Sequence, residues 1–184
     1  MGHYETQRQY VDISDIVFAG RILDIGGGGE GIISQHSGES VIAIDKRADE
    51  LAETPDIGTK IIMDACQLNF LDGYFDNVTC FYTLMYMDSP QIERFLSEAY
   101  RVMKTGSLLW IWDVIIPIEP SADVFIAQLE VTISNRRTIK TGYGVSWSKE
   151  QSLIAIKTLC EKAGFHYESG SENAESFFLC FSKK

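Results

Sequence analysis

From residue 21 to residue 116 the chain alternates short aliphatic runs with stretches whose apolar residues recur at helical spacing. "RILDI", "SVIAIDK", "TKIIMDA", "FDNVTCFYTL" and "SLLWIWDVII" read as five strands. The segments between them, "EGIISQHS", "RADELAE" and "SPQIERFLSEAYRVMK", read as helices. In the last of these, Ser89 is the expected N-cap, with Pro90 and Glu93 behind it, and Gly106 the expected stop. A run such as "SLLWIWDVII" has no polar face, as expected of a strand covered on both sides. Alternation of this kind predicts a doubly wound α/β domain with a mainly parallel sheet.

The pattern changes at both ends. Residues 5–18 place Tyr10, Ile13 and Val17 at helical spacing, which predicts an amphipathic helix within residues 1–20. After Pro117 and Pro120, the stretch 122–147 alternates apolar and polar residues around a Ser134–Asn135 turn. It predicts an antiparallel hairpin, or a short helix leading into one, inserted over 117–146, that serves as a lid or as an interface between copies. "SKEQSLIAIKTLCEKAGF" reads as a helix capped by Ser148 and Gln151 and stopped by Gly164. "HYES" and "ESFFLCFS" read as a final antiparallel pair. The expected organisation is a single domain over 1–184.

Composition narrows the function. The 184 residues are 45% hydrophobic and carry a formal charge of −10. The longest basic features, Arg136-Arg137 and Lys183-Lys184, are too small to neutralise a row of phosphates, so nucleic acid and anionic membrane are not expected partners. The start of the chain lacks an apolar signal core and no apolar run is long enough to span a bilayer, which predicts a cytoplasmic protein. Four cysteines without C-x-x-C pairing or histidines at ligand spacing predict buried free thiols and no metal site. His3, His36 and His166 are expected at the surface.

The chemistry concentrates at "ILDIGGGGEG", residues 22–31. A strand, then glycines, then a helix start lets backbone approach a ligand closely. Gly26-x-Gly28-x-x-Gly31 fits a dinucleotide fingerprint, and Asp45 at the end of the second strand fits a ribose in either a dinucleotide or an adenosine ligand. Asp64, ending the third strand, is placed for an adenine amino group, with the Ala65 or Cys66 amide near a ring nitrogen. Asp24 lies inside the first strand, where a pyrophosphate would be repelled and an ammonium-bearing ligand favoured.

Taken together, "ILDIGGGGEG", "VIAIDKRADEL", "MDACQLNFLDGYFDNVTCFYTL", "EAYRVMKTGSLLWIWD" and "LCEKAGF" resemble the motif set of the class I S-adenosylmethionine-dependent methyltransferases. The resemblance covers most of 21–113 and resumes at about 147–181. It implies a Rossmann-like sheet of seven strands, the last antiparallel, and S-adenosyl-L-methionine as cofactor. It implies that Asp24, Gly26 and Gly28 hold the methionine end, Asp45 and Lys46 the ribose side, and Asp64 and Ala65 the adenine. Tyr82 and Thr83 would face the methyl. Asn69 and Thr105 stand where the family carries proline, and Met85-Tyr86 where many small-molecule members carry histidine. No Asn-Pro-Pro-Tyr or Asp-Pro-Pro-Tyr follows the fourth strand, which argues against amino methylation of nucleic acid.

The activity so implied is methyl transfer by in-line displacement to a small-molecule acceptor whose identity the sequence leaves open. Asp113, Tyr82 and Tyr86 are the candidate catalytic residues. Tyr143 and Trp147 are candidate pocket aromatics, and Tyr4 and Tyr10 could close over the cofactor or pack in the core. Two alternatives stand beside this reading: an NAD-dependent oxidoreductase, and a non-catalytic module that binds S-adenosylmethionine or a related adenosine ligand. A homodimer through 117–146 is the expected assembly.

Overall fold

The computed structural model describes residues 2–118 and 122–184. Pro120, one of the two prolines expected to punctuate the chain, lies outside the described residues. The chain runs β1 (His3–Glu5), β2 (Gln9–Asp12), β3 (Ile22–Ile25), α1 (Ile32–Ser37), β4 (Val41–Asp45), α2 (Ala48–Glu53), β5 (Thr59–Ile62) and β6 (Phe75–Phe81). It continues through α3 (Ser89–Val102), β7 (Met103–Val114), β8 (Val124–Thr132), β9 (Thr138–Ser146), α4 (Leu153–Lys162), β10 (His166–Glu172) and β11 (Ser176–Ser182).

Seven strands form the main sheet in the order β10-β11-β7-β6-β3-β4-β5. Strands β3 to β7 are parallel, and β11 is antiparallel to both β7 and β10. This is the Rossmann-like arrangement expected, and it brings the carboxyl ends of β3, β4, β5 and β6 to one edge, where open α/β sheets bind ligands. One face of the sheet packs on α3 and α4 through Ile92, Phe95, Leu96 and Ile156. The other packs on α1 and on β8, whose Phe125, Ala127, Leu129 and Val131 point inward. The strict in–out alternation of β8 follows from having a core on one side only.

Residues 3–12 are strands, not the helix their spacing predicts. β1 and β2 both pair in parallel with β8, while β9 takes its other edge. Thr6 N and Ile13 N donate to Ile126 O and Thr132 O, each at 2.9 Å. An uncovered edge of β8 would leave a row of backbone groups unpaired, and the N-terminal segment satisfies them. The helical stripe does not survive this pairing: Ile13 is buried, but Tyr10 and Val17 are 75% and 86% exposed. The same pairing removes the open edge of β8 that made the insertion a candidate dimer surface.

Three helix boundaries also move. Asp88, not Ser89, caps α3, with reciprocal 2.8 Å bonds between its carboxylate and Gln91 N and between Asp88 N and Gln91 Oε1. Gly106 does not stop this helix. It lies inside β7 at φ +82°, with its N–H donating to Lys183 O. α4 starts at Leu153 behind Ser152, because Gln151 is drawn inward and bonded to Asp113.

Candidate active site

The carboxyl ends of β3, β4, β5 and β6 surround a cavity of about 560 Å³. Gly26, Gly28, Asp45, Lys46, Asp64, Ala65, Tyr82 and Tyr86 all line it. Eight of the residues singled out in the sequence are therefore brought together.

The glycine loop follows β3 with Gly26 at φ +68°, a conformation that disfavours any side chain. Space also requires glycine here. A Cβ on Gly28 would stand 2.5 Å from the Glu50 Cβ and 3.0 Å from Asp45 Oδ2. The loop amides turn inward: Gly27 N donates to Ile44 O (3.0 Å) and Gly29 N to Glu50 O (2.9 Å). Those amides are not presented to a ligand as a phosphate nest would require.

Around the loop stand the carboxylates of Glu30, Asp45, Glu50, Glu53 and Asp64, against the cations of Lys46 and Arg47. Arg47 is itself bridged to Glu50 at 3.0 Å and to Asp49. Burial and the neighbouring Asp45 and Asp49 charges push the Glu50 carboxyl up, although Arg47 opposes them. Asp45 Oδ1 accepts from Arg47 N at 2.9 Å, which leaves Oδ2 on the side of Gly28. Asp64 Oδ1 accepts from Cys66 N at 2.8 Å, so the Cys66 amide suggested for the adenine ring is already taken.

Two of the predicted cofactor-binding and catalytic residues do not reach the cavity. Asp24 lies one layer below the loop, buried, with Oδ1 accepting from Thr79 Oγ1 at 2.7 Å on the adjacent strand. A Cβ on Gly27 would stand 2.6 Å from Asp24 Oδ2, so the carboxylate underpins the loop instead of lining the site. Burial pushes its pKa up to about 7, with the Thr79 hydrogen bond opposing and the Asp45 charge adding to the rise.

Asp113 is fully enclosed. Its Oδ2 accepts from Leu84 N at 2.8 Å, and its Oδ1 from Val114 N and Gln151 Nε2 at 2.8 Å each. Burial raises its pKa to about 6, against those hydrogen bonds and the Lys149 charge. It ends strand β7 as expected, but the side chain is spent holding the 84–87 turn, which carries Tyr86 and Met87 into the cavity wall. Lys149 Nζ donates to Leu84 O (2.7 Å) and to Met87 O, fixing the same turn from the opposite side.

The tyrosines do line the cavity. Tyr82 adopts φ +51°, and its ring stacks on Tyr143 with centroids 5.8 Å apart. Burial pushes both the Tyr82 and Tyr86 hydroxyls well above the usual tyrosine range. Glu30 accepts from Thr141 Oγ1 (2.5 Å) and Tyr143 Oη (3.1 Å), so β9 is latched onto the glycine loop and forms one wall.

Trp147 packs instead on Phe125 and Tyr4, away from the cavity, and Tyr4 donates to Glu175 Oε1. Tyr10 lies outside the cavity as well. His36 is not a surface residue. Its Nε2 meets Ile16 O at 2.9 Å and its Nδ1 accepts from Ser134 N, joining α1 to both neighbouring segments. The sequence reading missed Glu30, Glu50 and Arg47. The signal was available for Glu50 and Arg47 in "RADELAE", the helix that follows the ribose-side aspartate.

The family model for a methyltransferase domain matches residues 23–111, from β3 through most of β7. The chain has the fold of the class I S-adenosylmethionine-dependent methyltransferases. Among solved structures, an S-adenosylmethionine-dependent methyltransferase from Mesorhizobium loti is 15% identical, with a TM-score of 0.65, covering 91% of this chain and 94% of the other. A methyltransferase from Methanosarcina mazei is 18% identical at a TM-score of 0.63, covering 91% and 94%. The [4+2]-cyclase SpnF is 16% identical at 0.65, covering 92% and 78%. No curated protein matches the sequence. The match to the methyltransferase model and the likeness to S-adenosylmethionine-dependent methyltransferase structures support S-adenosylmethionine as the cofactor. Among the described residues no helix is long and apolar enough to cross a membrane.

Proposed function

We propose that the acid-lined cavity binds S-adenosylmethionine through the residues described above and that the enzyme methylates a small molecule. One observation carries the site assignment: a glycine loop whose inner amides are spent, facing five carboxylates and two cations. A pyrophosphate would meet repulsion there, whereas a ligand bearing a sulfonium and an ammonium would meet attraction. This favours the methyl donor over NAD.

Asp45 Oδ2 receives the ribose hydroxyls, with Lys46 beside it. Asp64 and Ala65 border the adenine. Gly26 and Gly28 admit the methionine end, and Asp24 supports the loop from below. When bound, the donor supplies a methyl group on a sulfonium, already activated for displacement.

The protein's share is then positioning and exclusion of water, with Tyr82, Thr83, Tyr86 and Tyr143 enclosing the methyl end. Among the described residues none offers a free base at this end: Asp113 is enclosed, the Tyr82 and Tyr86 hydroxyls hold their protons, and the Glu30 carboxylate is bonded to Thr141 and Tyr143. The acceptor therefore brings a lone pair that needs no strong base. The same observation keeps a second reading in play, in which the cavity binds the ligand without methyl transfer.

We place the protein in the cytoplasm, without nucleic-acid partners. Any self-association through 117–146 would use the outer edge of β9, since both edges of β8 are paired.

Thermal melting with S-adenosylmethionine, S-adenosylhomocysteine and NAD tests the donor. Stabilisation by the first two and not by NAD is expected, and stabilisation by NAD alone would refute it. Methyl transfer to any member of a panel of amines, phenols and thiols would exclude the non-catalytic reading.

A further inference from the structure

Behind Tyr82 the same edge of the sheet opens into a second cavity, of about 280 Å³. It runs between β2 and the β10–β11 turn. Among the described residues, Tyr82 alone lines both this groove and the donor cavity.

Tyr82 is an unusual partition. Its backbone is left-handed at φ +51°, its side chain is almost wholly buried, and its hydroxyl has no hydrogen-bond partner. Ser176 Oγ, a groove atom, donates to Gln9 Oε1 and accepts from Asn173 Nδ2. Strain and an unpaired buried hydroxyl at one residue persist only where the surroundings enforce them, and such costs concentrate at functional sites.

The lining indicates the ligand. Trp112 and Phe178, with ring centroids 5.1 Å apart, present aromatic surface suited to a flat ring. The charged groups among the lining residues are Asp12 and Glu172, and no lysine or arginine joins them. Asp12 is bridged to Arg136 at 3.1 Å, while Glu172 forms no ion pair among the described residues.

We propose that this groove is a second binding site, separated from the donor cavity by Tyr82, that selects a planar aromatic molecule bearing an amine over one bearing a carboxylate or phosphate.

The test is isothermal titration calorimetry on the full chain saturated with S-adenosylhomocysteine, with naphthylmethylamine and naphthylacetate as probes. The amine is expected to bind at least about tenfold more tightly than the acid, the scale of one favourable charge contact. Ser171, an exposed residue of edge strand β10 paired with Phe178, stands at the rim of the groove, and Ser171→Trp fills that rim. It should weaken the amine by about tenfold or more and leave S-adenosylhomocysteine affinity unchanged. Glu172→Gln should narrow the gap between the two probes. Equal or tighter binding of the acid, or an amine affinity indifferent to Ser171→Trp, would overturn the proposal. Normal binding of S-adenosylhomocysteine with no binding of the amine overturns the groove alone. Failure of S-adenosylhomocysteine itself to bind overturns the donor site alone, and the two probes still decide the groove.

Discussion

Asp24 offers a quantitative test of how the glycine loop is supported. Replacing it with asparagine keeps an acceptor for Thr79 Oγ1 and removes the ionisable group. In the folded protein burial raises its pKa from 3.8 to about 7. A rise of about three pH units corresponds to about 4 kcal/mol, at about 1.4 kcal/mol per unit, by which ionised Asp24 weakens folding.

The sign follows from the direction of the shift. The folded state binds the proton more tightly than the unfolded chain, so the cost is absent below the unfolded pKa. It grows as pH rises and is complete above about pH 7. Between about pH 5 and about pH 8 the wild type should therefore lose about 2–3 kcal/mol through this group, and Asp24→Asn should not. Asp113, also shifted upward, contributes in both proteins and cancels in the difference. Urea unfolding of ligand-free wild type and variant across this range, monitored by tryptophan fluorescence, measures the difference. Two parallel stability–pH curves would refute the placement of Asp24 in a dry layer beneath the loop.

Other perturbations probe separate parts of the account. Asp45→Ala should lower S-adenosylhomocysteine affinity by at least about tenfold in calorimetry, since it removes a charged acceptor of hydrogen bonds worth about 1.5–3 kcal/mol each. Gly28→Ala, which forces a Cβ to 2.5 Å from Glu50 Cβ, should cost about 1–3 kcal/mol in denaturant unfolding and weaken ligand binding as well. Gln151→Ala removes a donor from buried Asp113 and should destabilise by about 1–3 kcal/mol, seen as a lower melting temperature. Tyr143→Phe should leave the melting temperature nearly unchanged and speed S-adenosylhomocysteine dissociation in stopped flow, because it removes one of the two bonds that latch β9 onto Glu30 and leaves that of Thr141.

Strands β3, β4, β6 and β7 could be read from their apolar runs, and α3 from its stripe, because local periodicity decides those elements. The N-terminal segment misled because what decides it is β8, which lies more than a hundred residues away in the chain. Spacing cannot report an unpaired edge that exists only after folding. The site followed the same division. Asp45, Asp64 and the glycines stand at strand ends, where position alone aims them at the sheet edge. Asp113 also ends a strand, but the sequence carries no mark that Gln151 and Leu84 N enclose it. Glu30 and Tyr143 meet only because the β8–β9 hairpin folds over the loop.

The most direct measurement is a crystal structure of the protein with S-adenosylhomocysteine. The account predicts density in the larger cavity, with the ribose hydroxyls on Asp45, the adenine beside Asp64 and Ala65, and the sulfur near Tyr82 and Thr83. Density that leaves Asp45 unoccupied, or a ligand bound outside that cavity, would contradict it.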